Sequence, residues 1–314
     1  MKTLVTGGAG FIGSHLVDAL VERGDDVLVF DDLSTGKRAN LSGSLAAGAT
    51  LEVLDITDPR LLMTAVEGFG PEAVFHLAAQ IDVRKSMADP GFDARLNVVG
   101  TLNVLEAASR VGARDFVFTS TGGAIYGEGS GERSGELPFA ETAACEPDSV
   151  YGQSKLAAEG YIGLYRRSGR ISGVACRLGN VYGPRQDPAL EAGVVAIFCD
   201  LAREDGRPTV FGDGTQTRDY IHVSDVVAGL LAGQGAGHPG PFNLGTGVET
   251  NVLQLAETIG RMAGRNGFEP EFAPHRPGEI ERTALDASRA EQELGWRAER
   301  NLDAGLEQTL AAED

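Results

Sequence analysis

The chain has 314 residues, 42% hydrophobic and 23% charged, with a formal net charge of −18. These numbers describe a globular protein with one large domain or two associated ones and an ample core. So acidic a chain excludes a phosphate-backbone footprint, and with it nucleic acid as a partner, while leaving room for a local basic site that takes a small phosphorylated ligand.

Three widely spaced cysteines, Cys145, Cys176 and Cys199, form no C-x-x-C pair. They read as reduced thiols of a cytoplasmic protein rather than a zinc site or a disulfide framework, and no metal is expected. The opening "MKTLVTGG" runs straight into a strand and a glycine turn, so no signal peptide is expected. The longest apolar stretches fall short of a membrane span, which predicts no membrane partner.

In chain order, residues 2–6 (KTLVT) read as a strand, followed by glycines and an amphipathic helix with Phe11, Leu16 and Leu20 inward. Further strands are predicted at 26–31 (DVLVFD), 50–55 (TLEVLD), 73–78 (AVFHLA), 115–120 (DFVFTS) and 173–178 (GVACRL). Helical periodicity lies between them at about 59–68, 96–111 and 150–168. This alternation predicts an α/β fold, a Rossmann-type doubly wound parallel sheet over residues 1–178. Beyond Leu178 the rhythm loosens. "NVYGPRQDP" and "GHPGPF" are loop signatures, and helical patterns return at about 224–233, 252–264 and 287–294. Residues 179–314 therefore read mainly as a smaller carboxyl-terminal substrate lobe, with some segments returning to the first.

Gly7, Gly10 and Gly13 stand as G-x-x-G-x-x-G between a strand and a helix. A tight turn, close backbone approach to a pyrophosphate, and a helix N-terminus with free N–H groups all call for glycines there. The triplet alone also suits a plain structural turn. The second strand ends in Asp31, 18 residues past Gly13, where a carboxylate accepts from the adenine-ribose hydroxyls. Its charge would repel a 2′-phosphate, which predicts NAD over NADP. Lys37 and Arg38 nearby weaken that preference unless they belong to a solvated loop. Asp55, closing the third strand, either meets the adenine edge or caps the helix opening at "DPRLLM".

Tyr151 and Lys155 in "YGQSK" lie four apart, on one helical face. A phenol with a pKa of about 10 acts as a base near neutrality only where a cation favours its phenolate. Lys155 and an oxidised nicotinamide would both do that; the alternative is an ordinary core tyrosine beside a surface lysine. The strand before them runs into "TSTGGAIYGE" (119–128), which offers hydroxyls and glycines at a carboxyl end where such sheets place their chemistry, and no carboxylate before Tyr126.

The glycine turn, "FHLAAQ", "STGGAIYG", "YGQSK" and "NVYGPRQ", in this order, resemble the extended short-chain dehydrogenase/reductase family over nearly the whole chain, and within it the bacterial UDP-glucose 4-epimerases. A "DNLSTG"-like turn is present at 31–36, and "GDGTQTRDYIHVSDV" (212–226) and "HRPGE" (275–279) match further segments. The resemblance implies a tightly bound NAD, held by Gly7, Gly10, Phe11, Ile12, Asp31, Asp32, Ser34, Thr35, Gly36, Asp55, Ile56, Leu77, Ala78, Ala79, Gln80, Asn97, Ser120, Tyr151 and Lys155. It implies Tyr151 as base and Lys155 as its electrostatic partner. It implies a UDP-sugar substrate held by Thr121, Gly122, Tyr151, Asn180, Val194, Arg218, Arg276 and Glu279, with arginine forks matching phosphate oxygens. It also implies a homodimer, paired through helices such as 96–111 and 150–168.

One position departs from the family pattern. Its active hydroxyl lies four residues before the loop tyrosine, which here is Gly122. Thr121 is expected to substitute after a one-residue shift, with Ser120 serving the nicotinamide. Family dehydratases and decarboxylases place acids just before that tyrosine, where this chain has Gly123 and Ala124. Without an acid, a 4-keto sugar has one exit, return of the hydride, and if the ring turns over first the product is the C4 epimer. UDP-glucuronate or UDP-N-acetylhexosamine remain alternative substrates, since Arg84, Lys85 and Arg185 could hold a carboxylate. A nucleotide-sensing protein without chemistry is the remaining alternative.

Overall fold

The computed structural model describes residues 1–128, 137–189, 193–276 and 280–312. Strands β1 (Lys2–Thr6), β2 (Asp26–Asp31), β3 (Thr50–Val53), β4 (Ala73–His76), β5 (Asp115–Thr121) and β6 (Ser172–Leu178) alternate with helices. They are followed by β7 (Asn180–Tyr182), β8 (Thr209–Phe211), β9 (Thr217–His222), β10 (Phe242–Leu244), β11 (Glu249–Asn251) and β12 (Glu271–Ala273). The first six and β10 form a seven-stranded parallel sheet in the order β10-β6-β5-β4-β1-β2-β3. Strand order reverses between β1 and β4, so a crevice opens over their carboxyl ends.

β4 is buried along its length and β5 at every residue but the last. Both faces of the sheet carry helices, which is why these strands read as unbroken apolar runs rather than alternations. Local signals set the helix ends. Asp58 accepts from the Arg60 and Leu61 amides, with Pro59 in the first turn, and starts Pro59–Phe69; Gly70, at φ 66°, closes it. The cap is thus Asp58, and Asp55 instead accepts from the Thr57 amide. Ser149 caps the long helix Val150–Arg167 through the Gly152 amide, at 3.1 Å.

Some elements differ from expectation. β3 and β4 end two residues early, where the chain turns out into the crevice. "GHPGPF" ends in β10, whose three residues are too few to show a period but pair with β6 and are buried. Val194–Arg203 is helical although no side chain caps its start, and Leu302–Ala311 is a further helix capped by Asn301. Val83–Ala88 and Pro90–Ala94 are short helices started by Asp82 and Asp89. They lead into a π-helical turn, Arg95–Gly100, and the helix Thr101–Arg110.

In the second lobe β7, β9 and β11 form a mixed sheet and β8 pairs with β12. Its core gathers Tyr182, Phe198, Tyr220, Leu255, Ile259 and Leu306. The core cluster built on β1, β2 and the helix Phe11–Glu22 also contains Val226, Leu230, Phe242, Leu244, Ala290 and Trp296. A small cluster of Ile125, Tyr126, Phe139 and Leu285 sits under the turn after β5. The three cysteines are free, and no helix among the described residues is long and apolar enough to cross a membrane.

Candidate active site

A cleft of about 1230 Å³, counting open solvent at its mouth, runs over the carboxyl ends of β1, β2, β4 and β5. It is lined by Gly7, Gly10, Phe11, Ile12, Asp31, Asp32, Ser34, Thr35, Asp55, Ile56, Leu77, Ala78, Ala79, Ser120, Tyr151 and Lys155. Gly7 has φ 71°, and a Cβ on it would lie 2.6 Å from the Ala78 nitrogen. A Cβ on Gly13 would collide with the Gly7 carbonyl oxygen. Gly10 differs: a Cβ there would meet only that same oxygen, at 3.3 Å, so this glycine presents bare backbone to the cleft. The helix Phe11–Glu22 has no capping side chain and no acid in its first turn, which leaves its amide groups available to an anion.

Asp31 takes the Ala9 and Leu33 amides on its two oxygens, each at 2.9 Å, and burial raises its pKa. Gly36 does not line the cleft; a Cβ on it would stand 2.6 Å from Asp31 Oδ1, so its bareness makes room for that carboxylate. Lys37 is engaged with Asp187 at 2.8 Å. The cleft thus has a carboxylate at one end and free helix amides in its middle, groups that fit a dinucleotide without a 2′-phosphate.

At the inner end, Lys155 is buried, donates to the Thr119 carbonyl at 2.8 Å and lies 4.6 Å from the Phe118 ring centre. Its ammonium stands 6.0 Å from the Tyr151 ring centre. Burial pulls Lys155 down to about 7, against which Asp93 and Glu159 push back. Burial, then Asp93, push the Tyr151 phenol up, while a hydrogen bond with Thr121 works the other way. Ser120 donates to Glu159 at 2.6 Å, and Glu159 holds Arg177 through two bonds, at 3.0 and 2.7 Å. Arg177 continues to the Tyr126 hydroxyl and that to Asn243, each at 2.8 Å. Tyr126 is fully buried and its phenol pushed up to about 12, mostly by burial, so it braces the turn after β5 from beneath.

β5 extends through Thr121, and Gly122–Ile125 form a single helical turn. A Cβ on Gly122 would collide with Leu285, so the position where the family pattern has its hydroxyl is filled from the second lobe. A Cβ on Gly123 would meet only Asn180 Oδ1, at 3.4 Å. The other proposed substrate residues are scattered over the second lobe. Asn180 opens β7 and Val194 opens a helix. Arg218, on β9, donates to the Thr217 carbonyl at 2.8 Å. Arg276 lies 3.6 Å over the Phe211 ring. Thr121, Gly122 and these four do not line the cleft described above. Glu279 lies outside the described residues.

Gln80 and Asn97 stand behind the cleft. The Gln80 amide donates to Asn97 Oδ1 at 2.8 Å, and Asn97 Nδ2 returns a bond to the Gln80 carbonyl at 2.9 Å. Both side chains donate to Asp93 Oδ2, each at 3.1 Å. Sequence reasoning missed Asp93, Glu159 and Arg177. The available signal was position: Asp93 stands one helical turn before Asn97, and Glu159 one turn after Lys155.

A tyrosine–lysine pair at the inner end of a cleft whose outer end suits a ribose diol and a pyrophosphate is the arrangement of the short-chain dehydrogenase/reductase fold. The chain belongs to the NAD dependent epimerase/dehydratase family, whose model matches residues 3–245. It is 45% identical over 312 residues to the UDP-glucose 4-epimerase of Mycolicibacterium smegmatis, covering 99% of this chain and 97% of that one. The structure of a Thermotoga maritima UDP-glucose 4-epimerase with UDP-glucose superposes with a TM-score of 0.93 at 41% identity, covering 99% and 97% of the two chains. That of the Thermus thermophilus UDP-glucose 4-epimerase in complex with NAD gives 0.90 at 40% identity, covering 99% and 98%. The cofactor is NAD.

Proposed function

We propose that the protein is an isomerase that interconverts UDP-glucose and UDP-galactose through a 4-keto sugar, with Tyr151 as the base. The observation that carries this reading is the placement of Tyr151, Lys155 and Thr121 together at the end of β5, beside a turn without acids. Tyr151 takes the proton of the sugar's 4-hydroxyl and later gives it back. Lys155 supplies positive charge that favours the phenolate, and Thr121 donates to the reacting oxygens. NAD, held along the cleft described above, would supply the hydride acceptor for C4 and the donor that returns it.

Gly123 and Ala124 can neither expel water from the keto sugar nor assist loss of a carboxyl group. Gly123 faces Asn180 with no side chain between them, which leaves the ring space to turn over. Asn180, Val194, Arg218, Arg276 and Glu279 belong on this reading to the UDP-sugar site. A neutral hexose ranks ahead of a uronic acid: Arg185 is paired with Asp18 at 2.7 Å, and Lys85 is exposed beside Asp82. The chain acts as a homodimer; Phe92, Val99, Tyr161 and Leu164, on the segments 90–100 and 150–167, are exposed apolar side chains that such pairing would cover.

The test is to incubate the protein with UDP-glucose, UDP-glucuronate and UDP-N-acetylglucosamine and to separate the products. UDP-galactose from the first, with a transient NADH absorbance, supports the reading. A 6-deoxy or decarboxylated product would refute it, and binding with no absorbance change would favour a nucleotide sensor. Light scattering on the eluting protein checks the dimer.

A further inference from the structure

Lys155 is a buried cation, and the charges around it have to be compensated. Among the described residues, the titratable groups that face it are Tyr151 and Glu159 on its own helix, His76 on β4, and Asp93 on the helix Pro90–Ala94. His76 is held neutral, its pKa lowered to about 3 by burial and then by Lys155 itself. Glu159 is matched by Arg177 of β6 in a two-bond ion pair. Arg84, Lys85 and Arg95, on the segment packed against this helix, are exposed. Glu106, further along, is held by Tyr165, Arg110 and Arg170. Asp93, on a helix that packs against the Lys155 helix, is therefore the acid of this set that no cation pairs with among the described residues.

Its geometry agrees. Asp93 is fully buried; Gln80 and Asn97 hold Oδ2, and Oδ1 is buried with no hydrogen-bond partner among the described residues. Two amides hold one oxygen of the carboxylate and leave the other unspent. The π-helical turn Arg95–Gly100 follows at once, and such turns recur at functional sites.

We propose that Asp93 is the counter-ion of the Tyr151–Lys155 pair, a positioning residue that keeps Lys155 charged in its buried site and so sets the pH range in which Tyr151 works. This rests on the roles given above to Tyr151 and Lys155. Because a negative charge holds protons on both partners, its removal lowers the proton affinity of both. The two limbs of the pH–rate profile then move in the same direction, towards acid.

The experiment uses the protein as purified with NAD, comparing wild type with Asp93→Asn, which can still offer an oxygen to Gln80 and Asn97. Asp93→Ser removes the same charge with a smaller group and stands in where the asparagine variant does not fold. Two readouts are taken: the pH profile of turnover on UDP-glucose, and the titration of Lys155, one of four lysines, by NMR of carbon-labelled lysine. Both limbs and the lysine midpoint should fall by about one pH unit, a roughly tenfold loss of relative rate on the alkaline side. Asp93→Glu should return the midpoints towards wild type even if the rate stays low. Lower rates with limbs and lysine midpoint unmoved would overturn the proposal and leave Asp93 a structural bracket for Gln80 and Asn97. If no UDP-sugar is turned over, the functional reading fails while the lysine titration still decides the role of Asp93.

Discussion

Replacing Thr121 with valine removes one hydroxyl and little else. Valine is β-branched like threonine and suits the last position of β5, where Thr121 pairs with Leu178. What disappears is the hydrogen bond to Tyr151. No neighbour can replace it: the Ser120 hydroxyl is committed to Glu159, and a side chain at Gly122 has no room beside Leu285. A hydrogen bond to a charged oxygen contributes roughly 1.5–3 kcal/mol, so kcat should fall roughly 10- to 100-fold. The lost bond favours the phenolate, so its removal makes Tyr151 harder to ionise and moves the acidic limb of the profile to higher pH. The assay is kcat for UDP-glucose across the pH range, with NAD content measured on the same samples. Ser120→Ala is the control and should cost stability more than rate. A silent Thr121→Val beside a crippled Ser120→Ala would refute the assignment of the hydroxyl.

Gly122→Ala should destabilise the fold by roughly 1–3 kcal/mol through overpacking against Leu285, and Leu285→Ala by roughly 2–5 kcal/mol through a cavity. The double variant should be less destabilised than their sum, which urea unfolding of all four proteins measures. Asp31→Ala should relax the preference for NAD over NADP, and adding Asp187→Asn should relax it further by freeing Lys37 for a 2′-phosphate; binding titrations with both cofactors check this. His76, at about 3 in the fold against an ordinary 6.5, contributes stability that is fully present above about pH 6.5 and is lost as pH falls towards 3, on the order of 4–5 kcal/mol in all. His76→Gln should flatten the pH dependence of the unfolding midpoint in that window, and an unchanged slope would contradict a buried neutral imidazole.

Long elements with strong local signals can be read from the sequence. The helix Val150–Arg167 has a serine cap and more than four turns, and β5 has an unbroken apolar run, so both are legible to within a residue or two. Asp31 is legible because a strand end at fixed distance from a glycine turn is itself a local pattern. β10 and the helix Val194–Arg203 are not: one is too short for a period, the other lacks a cap. In the site, the illegible features depend on partners remote in sequence. Gly122 must be bare because of Leu285, and Glu159 can be buried because Arg177 arrives on the next strand. Gln80 and Asn97 sit in segments that touch the cleft, yet both side chains turn away from it to Asp93, and that of Asn97 also binds the Gln80 main chain. No spacing rule distinguishes a side chain that faces a ligand from one that braces the wall behind it.

The chain passes between its two lobes repeatedly. It leaves the Rossmann sheet after β6, returns with the helix Val223–Gly233 and β10, leaves again for β11, and comes back to seat Ala290 and Trp296, whose indole nitrogen donates to the Asp225 carbonyl at 2.9 Å. Lobes sewn together in this way cannot swing on a single linker, because each crossing would have to bend at once. A fragment cut after β6 would lack part of its own core. At the rim of the cleft, which Lys37, Arg185 and Asp187 line, the Lys37–Asp187 pair is a local contact rather than one of these crossings. A partly exposed pair of that kind contributes roughly 0–1 kcal/mol and is weakened by salt, so the rim can loosen without disturbing the seams behind it.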